Sequence, residues 1–187
     1  MSADTLPARE RILAAAAHRY YAEGIRAASA DRLLAEARVS KVTLYRHFPT
    51  KDALVIAYLE RTAAAERQAL TSARAAHPGD PAAVLRWYAE SVGQLACGPG
   101  FRGCPFINAA AELADPGHPG RRVVAEHRTW LAGQAAELLT EVGVDDAEAK
   151  AQQLLMLRDG AMVAGYVGDA DALTSSLISA ARAVINA

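Results

Sequence analysis

The sequence predicts an all-α chain of about nine helices, arranged as a small N-terminal three-helix domain and a larger C-terminal helical bundle. Ala, Leu, Glu, Arg and Gln dominate its 187 residues, and runs of β-branched residues are absent. Apolar residues recur at helical spacing between short breaks that contain Gly and Pro. These two observations favour helices throughout the chain.

Two helices are predicted within the first 37 residues. The first begins near Pro7, and its apolar positions share one face until Gly24 ends it. Ser29 is the expected N-cap of a short second helix. A tight connection at residues 38–39 follows, so the next helix must begin close by.

A third short helix and a long fourth helix follow this turn. Ser40 is the expected N-cap of the third helix, and Pro49 ends it because the residue before a proline disfavours helical backbone. Thr50 is the expected N-cap of the fourth helix, whose apolar and Ala-rich sequence continues to Ala76. The fourth helix is long enough to connect two domains.

Five more helices are predicted between loops rich in Gly and Pro. Asp80 is an N-cap followed by Pro81 at the first helical position, where proline is favoured. The expected bounds are about 81–96, 105–113, 121–142, 146–167 and 171–185. We therefore predict two domains, residues 1–52 and residues 53–187.

The charge of the chain is divided unevenly between these domains. Residues 1–52 hold nine Lys and Arg against six Asp and Glu, whereas residues 53–187 hold eleven against fifteen. Only the N-terminal domain has a basic excess, which is expected if that domain alone meets phosphates.

The sequence lacks the signals of export and membrane insertion. The first ten residues carry charges and a proline where a signal peptide needs an apolar segment. No later stretch reaches about 18 consecutive apolar residues. We therefore expect a soluble, cytoplasmic protein with no membrane partner.

An enzyme built on a helical bundle is a remote alternative, since the five histidines show no H-E-x-x-H or E-x-x-H spacing. Cys97 and Cys104 lack the spacing of a zinc site, and two buried reduced thiols are expected, with a redox switch as the alternative. No catalytic residue, metal or cofactor is predicted.

Residues 29–47 have the pattern of a helix-turn-helix, in which one short helix crosses the DNA backbone and the next enters the major groove. Leu44 and Phe48 lie four residues apart and can anchor the second of these helices. The hydrogen-bond donors of that helix are Lys41, Thr43, Arg46 and His47. They can contact base edges or phosphates.

Two further residues extend this predicted surface. Tyr45 combines an apolar ring with a polar tip and suits contact with sugar and phosphate, although packing within the domain is the alternative. Lys51 lies at the start of the fourth helix, where backbone N–H groups and the helix dipole favour an anion.

The run VSKVTLYRHFPTKDAL, residues 39–54, resembles the recognition segment of the TetR family of transcriptional regulators. The resemblance extends from residue 9 to about residue 60. It implies a homodimer that binds double-stranded operator DNA of near-palindromic sequence and represses transcription until a small-molecule effector binds the C-terminal domain. The DNA-binding residues expected on this basis are Ser29, Ser40, Lys41, Val42, Thr43, Tyr45, Arg46, His47 and Lys51.

Three positions of the segment leave questions open. Arg38 stands where the family often has Gly, and a left-handed backbone there costs a residue with a side chain roughly 1 kcal/mol. Val42 stands where many members have a smaller residue, and its methyl groups suit contact with a thymine methyl. For His47, a hydrogen bond to the backbone within the domain is as consistent with the sequence as a contact with a DNA phosphate.

The larger domain has several large side chains and few convergent charges, which favours a mainly apolar effector in a cavity between its helices. The candidate ligand-binding residues are Trp87, Tyr88, Phe106, Asn108, Glu112, His127, Trp130, Met156, Asp159 and Met162. Ordinary core packing is the alternative for the aromatic residues and methionines. Asn108 and Glu112, one turn apart, either line a pocket or pair with each other and a neighbouring helix.

The last two helices are the predicted homodimer interface. Small residues permit close approach of helices, and leucines supply apolar surface, so two-fold pairing would form a four-helix interface. The residues concerned are Leu154, Leu157, Gly160, Ala161, Ala164, Gly165, Leu173, Leu177 and Ile178. A constitutive dimeric regulator, in which this domain only dimerises and binds no effector, is the alternative.

Overall fold

The computed structural model describes residues 6–168 and 172–187, and within them it contains helices and no strands. The nine described helices are α1 (Ala8–Glu23), α2 (Ala30–Ala37), α3 (Lys41–His47), α4 (Lys51–Ala76), α5 (Pro81–Ala96), α6 (Pro105–Glu112), α7 (Pro119–Val142), α8 (Ala147–Val167) and α9 (Leu173–Ile185). The predicted all-α class and helix order are confirmed. None of the described helices has both the length and the apolar character needed to cross a lipid bilayer.

Local capping explains the starts of three helices, α3, α4 and α5. Three predicted N-caps accept a backbone N–H bond: Ser40 from Thr43 (3.2 Å), Thr50 from Ala53 (3.0 Å) and Asp80 from Ala83 (2.9 Å). Ser29 is at the N-cap position of α2, but its side chain makes no capping bond. Its exposed hydroxyl is therefore not used in closing the helix.

Two helix starts differ from those predicted. Helix α7 begins at Pro119 rather than near residue 121, because proline fits the first turn of a helix, where its missing N–H has no intrahelical partner. Helix α9 begins at Leu173, and its predicted start, Asp171, lies outside the described residues.

The described chain forms two compact units. Unit 1 contains the described residues up to Ala63 together with Pro105–Ala125. Unit 2 contains Ala64–Cys104 and Glu126–Ala187, apart from residues 169–171. Helices α4 and α7 each contribute residues to both units, and α6 belongs to unit 1. These units describe packing; the division of function at residue 52 stays a prediction.

Unit 2 is held together by close packing of α5 against α8 and α9. A Cβ atom on Gly93 would lie 1.8 Å from Oγ1 of Thr174 on α9, and one on Gly165 would lie 2.6 Å from Cβ of Ala96 on α5. Both glycines are therefore required by the intrachain packing. For Gly165 this corrects the predicted role in dimerisation, because the space beside it is already filled by its own chain.

Candidate nucleic-acid interface and ligand cavity

Helix α3 has one buried face and one exposed face. Leu44 and Phe48 are 7% and 4% exposed and anchor it in unit 1, as predicted from their spacing. Arg9 lies over the Phe48 ring, with its guanidinium carbon 5.3 Å from the ring centroid. On the other face, Val42 is 79% exposed and Tyr45 is 47% exposed. Val42 and Tyr45 lie three residues apart and so form one exposed apolar patch on a short helix, which suits contact with another molecule.

The residues predicted to contact DNA divide into two groups by exposure. Seven are exposed: Ser29, Ser40, Lys41, Val42, Tyr45, Arg46 and Lys51. The other two, Thr43 and His47, are half-buried. The hydroxyl groups of Ser40 and Thr43 lie 3.0 Å apart, so the N-cap bond network fixes the Thr43 side chain.

The turn before α3 is stabilised by a residue that the sequence pattern did not reveal. Arg38 has a left-handed backbone with φ 52° and ψ 50°, as expected of the position that Gly often occupies. Arg11 of α1 donates from Nε to the Ala37 carbonyl (3.0 Å) and from Nη2 to the Arg38 carbonyl (3.4 Å). A cation at the C-terminus of a helix satisfies its free carbonyls and complements the helix dipole. Arg11 thus fixes the end of α2, 26 residues away from Ala37 in sequence.

Glu112 of α6 holds the connection between α1 and α2. Its two carboxylate oxygens accept the backbone N–H groups of Ile25 (2.9 Å) and Arg26 (2.7 Å). Lys51 donates to the Arg26 carbonyl at 3.4 Å, so both the backbone N–H and the backbone carbonyl of Arg26 are hydrogen-bonded. A Cβ on Gly24 would lie only 3.0 Å from Glu112 Oε1, so Gly24 leaves room for the carboxylate. Glu112 thus binds backbone N–H groups. This role differs from both predictions, which were that it lines a pocket or that it pairs with Asn108 and a neighbouring helix.

Unit 2 contains a cavity of about 90 Å³. Its walls come from α4, α5, α7, α8 and α9, and most of its lining side chains are aliphatic, including Leu70, Val92, Leu131 and Leu177. Its polar lining residues are Tyr88, Gln134 and Arg158. The site is therefore apolar with a few convergent polar groups, which is typical of a small-molecule site.

A cluster of buried and half-buried polar side chains adjoins this lining. Tyr88 donates its hydroxyl to Glu66 Oε1 (2.7 Å), and Nε2 of His127 lies 3.0 Å from Glu66 Oε2. Arg158 Nη2 lies 4.0 Å from Glu66 Oε1, while Nη1 donates to Sγ of Cys104 (3.2 Å). Glu66 is on α4, so the cluster ties the long helix to the wall of the cavity.

The electrostatics of this cluster keep it charged. Burial by itself would raise the pKa of Glu66, but the bonds from His127 and Tyr88 and the charge of Arg158 outweigh burial and lower it. Burial would lower the pKa of Arg158, yet the nearby Tyr88, Cys104 and Glu66 together raise it. Burial chiefly raises the pKa of Tyr88, so its hydroxyl remains a donor. The cluster thus contains an ion pair between the buried Arg158 and the half-buried Glu66, each with hydrogen-bond partners of its own.

Among the predicted ligand-binding residues, Tyr88 is the one that lines this cavity. Trp87 and Trp130 pack on the buried core of Leu70, Ala73, Val84 and Leu138. Met162 is buried, Met156 is 64% exposed, His127 pairs with Glu66, and Asp159 pairs with Arg128 (2.7 Å) and Arg158 (3.0 Å). Phe106, Asn108 and Glu112 are on α6 in unit 1. Their positions correct the predicted cavity, because aromatic size indicates burial but not which space a side chain borders.

The two cysteines differ in environment. Cys104 is buried, as predicted, whereas Cys97 is exposed, because it lies at the C-cap of α5 rather than inside a helix. In the described part of the chain, no group of three or more His, Cys, Asp or Glu side chains is placed to hold a metal ion.

Comparisons with known proteins agree with this geometry. Residues 12–58 match the family model of bacterial regulatory proteins of the tetR family. A TetR-family transcriptional regulator of Streptomyces coelicolor is 42% identical, with a TM-score of 0.89 over 96% of this chain and 94% of that one. A TetR transcriptional regulator of Streptomyces avermitilis is 28% identical, with a TM-score of 0.76 over 95% and 99% of the two chains.

The fold is shared more widely than the sequence. The reduced form of E. coli NemR is 22% identical, with a TM-score of 0.84 over 96% of this chain and 97% of that one. No curated protein sequence matches the chain. The family model covers helix α3, and the S. coelicolor regulator extends the match to nearly the whole chain. The chain therefore belongs to the TetR family of DNA-binding transcriptional regulators.

Proposed function

We propose that this regulator is a repressor whose helix α3 reads operator DNA in the major groove. The exposed face of α3 supports this proposal. Lys41, Val42, Tyr45 and Arg46 are exposed there, whereas Leu44 and Phe48 of the other face are buried. A short helix anchored in this way can present donors and methyl groups to base edges without adjusting its backbone. Ser29, His47 and Lys51 are the proposed phosphate contacts.

Selection of binding sites from random DNA, followed by salt-dependent titration, tests this assignment. Lys41→Ala and Thr43→Ala should change which bases are preferred. Lys51→Ala should weaken binding to every sequence and reduce the salt slope by about 1. Arg86→Ala, which removes an exposed cation of unit 2, is the matched charge control and should leave both properties unchanged. An unchanged base preference in variants of Lys41, Val42, Thr43 and Tyr45 would contradict the assignment.

We further propose that the homodimer forms through α8 and α9. Exposed apolar side chains recur on α8 at Met156, Val163 and Val167, which are 64%, 52% and 73% exposed. Their spacing of seven and four residues places them on one face. Beside them, a groove of about 420 Å³ between α8 and α9 is lined by small and apolar residues that include Gly160 and Ala161. A second copy of the same face would fill this groove and bury the exposed side chains.

Sedimentation of a matched pair of variants tests the interface. Met156→Asp should convert the dimer to a monomer at micromolar concentration, because it places a charge in the interface. Leu95→Asp changes an equally exposed residue of α5, which is 60% exposed, and should leave the dimer intact. Equal behaviour of the two variants would show that the interface lies elsewhere.

The cavity of unit 2 is the proposed effector site, and α4 is the proposed connection to the DNA-binding helices. Leu70 of α4 lines the cavity, and the same helix continues without a break to Lys51, next to α3 in sequence. A ligand that moves α4 would change the spacing of the two recognition helices, which must match one DNA turn of roughly 34–36 Å.

Coupling of this kind is reciprocal, so a ligand that weakens operator binding must itself bind more weakly to the operator complex. A thermal-shift screen of small apolar compounds would find ligands, because binding to the folded state raises its stability. Titration of each ligand with and without operator then decides the mechanism. Equal affinities in both titrations would favour the second candidate, a constitutive dimeric regulator.

A further inference from the structure

One guanidinium group joins three separate points of the backbone in unit 1. The three nitrogens of Arg11 each donate to a carbonyl: Nη1 to Leu6 (2.8 Å), Nε to Ala37 (3.0 Å) and Nη2 to Arg38 (3.4 Å). Leu6 precedes α1, Ala37 is the last residue of α2, and Arg38 is in the turn that leads to α3. Arg11 therefore ties the chain before α1 to the turn that presents α3.

This turn has a backbone conformation that needs support. Arg38 has φ 52° and ψ 50°, a region that a residue with a Cβ adopts about fivefold less readily than glycine. The turn's own hydrogen bonds are long: 3.3 Å from the Arg38 N–H to Ala35 and 3.2 Å from the Val39 N–H to Leu34. The last carbonyls of a helix need acceptor partners from outside it. Arg11 supplies donors to two of them.

A second arginine of α1 provides a contrast. Arg19, like Arg11, is half-buried and faces α2, but its donors go to the carboxylates of Glu23 and Glu36. Both arginines thus tie α1 to neighbouring residues, and Arg11 alone of this pair reaches the backbone of the turn. The planar fork of a guanidinium suits several carbonyls at once, which the single nitrogen of a lysine does not.

We propose that Arg11 is a positioning residue for operator recognition: it holds the left-handed turn at Arg38 and so presents α3 in the orientation that reads DNA, without contacting DNA itself. This inference rests on the proposed reading of DNA by α3. Without these bonds only a fraction of molecules would hold α3 correctly, and the apparent Kd would rise by the inverse of that fraction. Binding through phosphates alone has no such requirement.

Two DNA duplexes of equal length test the proposal with the full-length protein. One is the duplex most enriched when the wild type selects from random DNA, and the other is a scrambled duplex of the same composition. Arg11→Ala should bind the selected duplex about tenfold more weakly, because the turn loses bonds from a charged donor, and should bind the scrambled duplex as the wild type does. Arg19→Ala is the matched control and should leave both affinities unchanged. Fluorescence anisotropy measures them at a temperature at which circular dichroism shows each variant to be folded.

Two further variants separate charge from backbone strain. Arg11→Lys keeps the cation but has one nitrogen, so it should recover little of the lost affinity, whereas it would largely restore a phosphate contact. Arg38→Gly removes the steric cost of the turn. In that background Arg11→Ala should weaken binding by only about twofold, because glycine accounts for about fivefold of the expected tenfold loss.

The outcomes separate this inference from the proposed function. Unchanged affinity of Arg11→Ala for the selected duplex, with an altered base preference in Lys41→Ala, would overturn the inference alone. Equal weakening on both duplexes, with a salt slope reduced by about 1, would identify a phosphate contact and also overturn it. An equal effect of Arg11→Ala with and without Arg38→Gly would overturn the role of the turn. If Arg11→Ala does not fold, Arg11→Lys is used for the same comparisons.

Discussion

The two units of the molecule place the charged side chains of their candidate sites in opposite environments. In unit 1, Lys41 and Arg46 are exposed on a short helix whose apolar residues are buried. In unit 2, Glu66 and Arg158 approach each other beside an apolar cavity, and Arg158 is 7% exposed. The first arrangement suits a surface that meets another charged molecule, whereas the second holds helices together and surrounds a small space.

Substitutions in the two units should therefore differ in their effects on stability and on binding. Exposed charges interact weakly with one another in water, so Lys41 and Arg46 of α3 remain available to DNA and add little to stability. Buried charges are costly to leave without partners, so those of unit 2 are a stability element as well as a candidate ligand contact.

The anchor of α3 should matter more to stability than its exposed face. Leu44→Ala should lower the free energy of unfolding by about 2–5 kcal/mol, because it opens a cavity in the core of unit 1. Val42→Ala, on the exposed face, should change that free energy by less than about 0.5 kcal/mol. Chemical denaturation at one fixed protein concentration measures both. Similar losses from the two variants would contradict the two-faced description of α3.

Ion pairs of the two units should differ in the same way. Glu66→Ala should cost about 3 kcal/mol of unfolding free energy, because the buried Tyr88 hydroxyl loses its acceptor and Arg158 loses one of its two carboxylate neighbours. Glu36→Ala removes a carboxylate of unit 1 that bonds to Arg19 Nε (2.5 Å) and to the exposed His18, and should cost about 1 kcal/mol or less. If denaturant titrations show a larger loss of unfolding free energy for Glu36→Ala than for Glu66→Ala, this prediction is wrong.

The lowered pKa of Glu66 also predicts a dependence on pH. A carboxyl whose folded-state pKa lies below its ordinary value of 4.5 stabilises the fold above pH 4.5 and loses that contribution as the pH falls through the folded-state pKa. The stability difference between the wild type and Glu66→Gln should therefore shrink below pH 4.5. A difference that stays constant down to pH 3 would show that Glu66 is not held as an anion.

Substitution of Glu112 tests the bond between α6 and the connection from α1 to α2 within unit 1. Glu112→Ala should lower the free energy of unfolding by about 2 kcal/mol, because two backbone N–H groups lose a charged acceptor. It should also weaken operator binding, because the connection between α1 and α2 is released. Glu112→Gln keeps one acceptor oxygen and should give a smaller change in both. Unchanged operator affinity in Glu112→Ala, measured by fluorescence anisotropy, would show that this bond does not position the DNA-binding helices.

The smallest effect is expected at the turn before α3. Arg38→Gly should raise the free energy of unfolding by up to about 1 kcal/mol, because glycine adopts the positive φ of this position without steric cost. Arg38→Ala keeps a Cβ at the same φ and should change stability little. Equal stability of the two variants in denaturant titrations would show that backbone strain at Arg38 does not lower the stability of the protein.

The sequence alone determined those features that depend on neighbours within about four residues. Ser40, Thr50 and Asp80 cap the helices they were predicted to begin, since a capping bond spans only three residues. The buried pair Leu44 and Phe48 followed from helical spacing for the same reason. Helix α3 is built almost entirely from such local features, so residue spacing was enough to predict its exposed face.

The tertiary structure decided the contacts between residues that are far apart in the chain. Glu112 bonds to Ile25 across 87 positions, and Arg158 bonds to Cys104 across 54. Helical periodicity shows which face of a helix is apolar but not which neighbouring helix that face meets, since this depends on how the side chains of both helices interlock. The cavity therefore formed around Leu70, Leu131 and Arg158 rather than around the tryptophans, because packing distributes large side chains to fill space and leaves room where the helices fit less closely.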